Sequence, residues 1–148
     1  MNNDLLKKLR EETGISLALI RKALAESGDD ETKARTALAK LGADAAAKKE
    51  SRETKAGRIE AYIHGGSRVG VLLELRSETD FVSRNEEFAK LAHEIAMHIA
   101  AMGPASVEEL VAQPFIKNPA QTIADLISAS SASFGERIIV GQFVRYEL

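Results

Sequence analysis

Apolar residues near the start of the chain recur at helical spacing. Leu5, Leu6 and Leu9 follow it until Thr13-Gly14 breaks the pattern. Ser16 then stands where an N-cap belongs, ahead of a second run with Leu17, Ile20, Ala23 and Leu24. Gly28 falls at the position of a C-terminal glycine cap. Asp29-Asp30 caps a third helix holding Ala34, Ala37, Leu38 and Leu41, which the sequence closes at Gly42. Residues 1–42 thus predict a three-helix module with a small core, and modules of this size bind other proteins more often than they catalyse reactions. Residues 43–57 are rich in alanine and charge but have no apolar face, so they read as a tether.

From Arg58 the period changes to two. Ile59, Ala61 and Ile63 alternate with Glu60, Tyr62 and His64, Gly65-Gly66-Ser67-Arg68 supplies a turn, and an apolar run fills residues 69–75. This is a hairpin pattern. Ser83 with Glu86 reads as a capping box for a helix carrying Phe88, Leu91, Ala92, Ile95, Ala96, Ile99 and Ala100, which ends at Gly103-Pro104. Ser106 with Glu109 predicts a short helix ending before Pro114. Asn118-Pro119 predicts the cap and first-turn proline of a helix with Ile123, Leu126 and Ile127, while the Ser/Ala run 128–133 reads as a loop or frayed end. Ile138, Val140, Phe143 and Val144 mark a closing strand. Residues 58–148 therefore predict an α+β domain, an antiparallel sheet covered by helices on one face.

Composition narrows the chemistry. The chain has 148 residues, 45% hydrophobic and 28% charged, with a net charge of −2, which gives no reason to expect nucleic-acid binding. Residues 1–58 hold 13 Lys/Arg against 10 Asp/Glu, and residues 59–148 hold 7 against 12. That asymmetry suggests two functionally distinct parts. With no cysteine, disulfides, thiolate nucleophiles and cysteine metal sites are excluded. No apolar run reaches the roughly 18 residues of a membrane span, and the polar start of the chain does not read as a signal peptide. The expectation is a cytoplasmic protein.

No catalytic constellation emerges. His93 and His98 stand five residues apart, too far around a helix to share a metal, and are expected to flank its apolar stripe. His64-Gly65-Gly66 lacks the lysine and helix of a phosphate loop. The chain is better equipped for binding. The informative stretch is Glu74-Leu75-Arg76-Ser77-Glu78-Thr79-Asp80-Phe81-Val82-Ser83-Arg84, where an aromatic follows a carboxylate between a strand and a helix. Such a pair suits insertion into a partner's crevice; the plainer alternative is that Phe81 folds back onto its own core.

Two segments together resemble a known family. Leu9-Arg10-Glu11-Glu12-Thr13-Gly14, followed by Lys22-Ala23-Leu24, is similar to the N-terminal signature of translation elongation factor Ts, and residues 74–84 resemble that family's second signature. Tyr62-Ile63-His64-Gly65-Gly66, residues 95–100 and Phe143-Val144-Arg145-Tyr146 look like the family as well. The departures are Leu17-Ala18, Leu19, Arg21 and Arg76, where other residue types are common. The resemblance implies a ubiquitin-associated-like first module that docks on elongation factor Tu, with Arg10, Leu17 and Lys22 at or near the contact and His64 and Gly65 as further contacts. It implies that Thr79, Asp80, Phe81 and Val82 form the wedge that promotes GDP release near the partner's magnesium site. It implies no covalent chemistry, no cofactor, no direct nucleic-acid or membrane contact, and homodimerisation through a single core half. A competing reading is a ubiquitin-associated-like adaptor without exchange activity, which would need no wedge.

Overall fold

The computed structural model describes residues 2–148, the side chain of Ala46 excepted. The chain forms two compact units, Met1–Arg52 with Ala129–Arg137, and Glu53–Ser128 with Ile138–Leu148.

Helices α1 (Asn3–Thr13), α2 (Leu17–Ser27) and α3 (Glu31–Lys49) lie in the first unit. Each start has a side-chain cap. Asn2 Oδ1 accepts from the amides of Asp4 and Leu5, Ser16 Oγ from Leu19, and Asp30 Oδ1 from Lys33. Leu5, Leu6, Leu9, Ile20, Ala23, Leu24, Ala34 and Leu38 form one buried cluster, with Ile15, Ala37 and Leu41 packed at its margin.

Gly42 does not close α3, which continues to Lys49. Alanine-rich helix propensity in residues 43–49 outweighs the roughly 1 kcal/mol cost of one interior glycine. Lys48 and Lys49 lie in the last turn, where positive charge offsets the helix dipole, and Lys49 Nζ donates to the Ser131 carbonyl at 3.0 Å. The first part of the predicted tether is therefore helix.

The remaining elements in chain order are β1 (Ala56–Ile63), β2 (Val69–Ser77), α4 (Asp80–Ser83), α5 (Glu86–Met102), α6 (Val107–Ala112), β3 (Pro114–Phe115), β4 (Asn118–Thr122), α7 (Ile123–Phe134) and β5 (Ile139–Glu147). Strands β1, β2 and β5 make an antiparallel sheet with β2 in the centre. The chain is thus mixed, helices first and then an antiparallel sheet with helices. The inner residues of β2 (Val71, Leu73 and Leu75) are buried, as are Phe88, Leu91, Ala92, Ile95 and Ile99 of α5, which packs on β1 and β2. The outer face is open. Ile59, Ile63, Leu72, Val144 and Tyr146 are all exposed, Ile59 at 64% and Leu72 at 50%.

Three local expectations are corrected. Ser83 and Glu86 form no capping box, because Ser83 ends the extra turn α4 and Asn85 caps α5, its Oδ1 accepting from the Glu87 amide at 2.8 Å. Asn118-Pro119 opens no helix. Those residues lie in β4, paired with β3, and α7 begins only at Ile123. The two-stranded pairing leaves an edge on which proline's missing donor is tolerated. Thr122 and Asp125 cap α7 reciprocally, Thr122 Oγ1 accepting from the Asp125 amide at 3.1 Å and Asp125 Oδ2 from the Thr122 amide at 2.9 Å. The Ser/Ala run 128–133 continues α7 to Phe134 rather than fraying.

His98 does not flank the stripe of α5 but is fully buried within it. Its Nδ1 accepts from the Ile116 amide at 3.2 Å, and its Nε2 lies 2.9 Å from Gln113 Oε1. A backbone amide can only donate, so the proton of the neutral ring belongs on Nε2, which donates to Gln113. The ring of Phe115 lies 6.0 Å away. This imidazole joins α5 to the turn between β3 and β4. Replacing it with leucine removes both part-buried hydrogen bonds, to the Ile116 amide and to Gln113, at about 1 kcal/mol or more. Urea unfolding of His98→Leu should show that loss of stability.

Candidate functional site

Residues 79–82 follow directly from the end of β2. Ser77 is fully buried and its Oγ donates to the Thr79 carbonyl at 3.0 Å, turning the chain at the end of the central strand. Thr79 is extended (φ −127°, ψ 153°) and its Oγ1 accepts from the Val82 amide at 3.4 Å, capping the single turn α4. Ser83 Oγ donates back to the Asp80 carbonyl at 3.1 Å. The two ends of this turn face opposite environments. Val82 and Ser83 are buried, whereas Asp80 is exposed and Phe81 is 88% exposed.

Phe81 does not fold back onto the core. Burial of its neighbour Val82 instead fixes the turn against β1 and β2, and the backbone then carries Phe81 outward. An aromatic ring left in water forgoes the burial energy that would ordinarily hold it inside. The pair therefore presents an apolar ring beside a carboxylate on a seated turn. Just before it, Glu74 lies on the outer sheet face, accepts a hydrogen bond from Gln142 (2.9 Å) and pairs with Arg76. The Gln142 bond foremost, and then the guanidinium, hold its carboxyl below the usual glutamate range.

His64 and Gly65 occupy the turn between β1 and β2 and are exposed. The Ser67 amide donates to the His64 carbonyl at 3.0 Å, and Gly66 takes φ 84°, a conformation that favours glycine at this turn position. His64 Nδ1 is 3.3 Å from the Tyr62 hydroxyl, and the Tyr62 ring meets His93 edge-on at 5.6 Å. The register pairs Ile63 with Gly70 at this end of the hairpin and Ala56 with Ser77 at the other. The hairpin turn and the Phe81 turn are thus not brought together; eight paired residues, about 25 Å, separate them.

In the first unit, Leu17 opens α2 and is 43% exposed, and Lys22 lies exposed further along the same helix. Arg10 is half-buried, and its guanidinium donates to the carbonyls of Gly14 and Ile15, each at 2.6 Å. Among the described residues there is no cluster of His, Asp or Glu fit to hold a metal ion, and no helix is long and apolar enough to cross a membrane.

Sequence reasoning marked residues 79–82 but missed that they form their own helical turn. The signal was Thr79 followed by Val82, a cap and a buried residue three positions on. The pin at His98 was also missed, since periodicity alone cannot tell a buried polar residue from one flanking a stripe.

The sequence model of the family described as Elongation factor TS matches residues 2–109 and 78–148. An elongation factor Ts from Rubrobacter xylanophilus is 36% identical over 188 positions, covering 97% of this chain and 96% of that protein. One from Thermodesulfovibrio yellowstonii is 38% identical, covering 97% and 94%. A third, from Carboxydothermus hydrogenoformans, is 37% identical over 193 positions, covering 100% and 89%. The chain belongs to the elongation factor Ts family, and so to the translation elongation factors. Each of these alignments runs longer than the 148-residue chain, so the relatives carry residues without a counterpart here.

The exposure of Phe81 and the burial of Val82 predict opposite sensitivities. Phe81→Ala should leave unfolding stability within about 0.5 kcal/mol of the wild type. Val82→Ala removes buried carbon and should cost about 1–3 kcal/mol. Denaturant titration of the two variants side by side checks both.

Proposed function

We propose that this protein is a guanine nucleotide exchange factor for elongation factor Tu, with the turn Thr79–Val82 as its working part. The observation that carries the proposal is the Phe81 side chain, exposed at 88% on a turn whose next two residues are buried. A partner can receive that ring without unfolding any of this chain.

The mechanism is mechanical and electrostatic. GDP is held in a GTPase by Mg²⁺ and by backbone amides around its phosphates. An aromatic driven between helices near the metal site shifts those groups without touching the nucleotide. Asp80 travels with it and places a negative charge near the Mg²⁺ site. Factor and nucleotide then weaken each other's binding by the same factor, so incoming GTP displaces the exchange factor. Docking by the first unit, through the segment that includes Arg10, Leu17 and Lys22, supplies affinity of its own. His64 and Gly65 give a second contact from the far end of the hairpin. No bond is made or broken, so the protein acts without being an enzyme in the usual sense, and it works in the cytoplasm.

A second copy of the chain is the proposed cover for the outer sheet face. Ile59, Ile63, Leu72 and Val144 are exposed there beside the paired Glu74 and Arg76. A face whose two opposite charges already neutralise each other can meet its own image without repulsion, as a two-fold interface requires.

Release of fluorescent GDP from elongation factor Tu should accelerate when this protein is added. Phe81→Ala should lose about 2 kcal/mol of that effect, roughly thirtyfold in rate at limiting concentration. A fully active Phe81→Ala variant would rule out the wedge. Sedimentation at micromolar concentration should give a dimer for the wild type and a monomer for Leu72→Glu; a monomeric wild type would remove the dimer.

A further inference from the structure

Arg10 is cationic, lies near the exposed start of α2 and invites assignment as a direct contact to an acidic partner surface. Its geometry points elsewhere. The guanidinium is half-buried, and one nitrogen, Nη1, donates to two successive carbonyls, Gly14 and Ile15, each at 2.6 Å. These carbonyls belong to the connection between α1 and α2, where Gly14 takes φ 66°. Thr13 ties the same connection from its other side. Its Oγ1 donates to the Leu9 carbonyl at 2.6 Å and accepts from the Ile15 amide at 3.3 Å. The Ile15 side chain packs at the margin of the three-helix cluster. Ser16 then caps α2, and Leu17 is the first helical residue. Direction at Leu17 is thus set by a three-residue connection fixed through its carbonyls, its amide and its side chain.

We propose, resting on the exchange-factor reading above, that Arg10 is a positioning residue. It clamps the Gly14 and Ile15 carbonyls and so holds the start of α2, with Leu17 projecting, in the orientation the partner receives. Lysine keeps the charge, but its ammonium is a compact, freely rotating donor, whereas the two N–H bonds of Nη1 are held in the guanidinium plane. It cannot fix the two carbonyls in the same directions.

The test is GDP release from elongation factor Tu measured against the concentration of the full-length factor. Arg10→Lys should raise the half-saturating concentration about tenfold, the scale of losing a charge-assisted hydrogen bond, and leave the maximal rate unchanged. Thr13→Val, which loosens the same connection without touching any charge, should give the same type of defect. Combined with Leu17→Ala, Arg10→Lys should add little, because both act through one contact. Salt dependence should match the wild type, since no charge pair across the interface is lost. Backbone amide spectra of the Arg10→Lys protein alone should change only around residues 13–17.

Wild-type behaviour in Arg10→Lys, with Arg10→Gln weak and less salt-sensitive, would overturn the clamp in favour of a direct ionic contact. Unchanged amide signals at 13–17 would overturn it too. A wild-type protein that fails to release GDP would sink the exchange reading instead, and the amide spectra would still decide the clamp.

Discussion

Burial of the inner face of β2 against α5 is the constraint on which the second unit depends. Val71, Leu73 and Leu75 alternate with outward residues, so the register of the central strand fixes which side chains meet Phe88, Ile95 and Ile99. Sliding β2 by one residue would turn its apolar set to the wrong face. Because β2 is locked in this way, its end at Ser77 is locked as well. The turn that follows takes its position from the sheet and its shape from the Ser77, Thr79 and Ser83 hydroxyls.

Much of this was legible in the sequence for a physical reason. Long periodic segments, such as residues 88–100 and the two strands of the hairpin, announce themselves because burial repeats with the geometry of the backbone. The caps at Ser16 and Gly28 were equally legible, since few residues can occupy them. Misreadings arose where one short signal had two structural uses. Asn118-Pro119 can open a helix or lie in an edge strand, and pairing with Pro114–Phe115 decided it. Gly42 can end a helix or be carried inside one, and the alanines beyond it carried α3 onward.

Candidate site residues divide in the same way. The wedge stretch stood out because a Phe beside an Asp is unusual between a strand and a helix, yet only coordinates reveal that the ring points outward. Arg10 is the reverse case. The family resemblance placed it at or near a partner contact, but its Nη1 donates to the carbonyls of Gly14 and Ile15, and no periodicity rule anticipates a side chain closing a turn five residues away.

Adjacent positions on α4 answer to different masters. Val82 is buried and Phe81 is not, so selection on folding acts on the first, while under the proposed exchange mechanism selection through a partner acts on its neighbour. Over evolutionary time, drift at position 82 would follow the shape of this protein's own interior. If Phe81 is the wedge proposed above, drift at position 81 would follow the crevice of another molecule. Comparing substitution patterns at the two positions across many lineages would therefore separate the history of the fold from the history of the partnership.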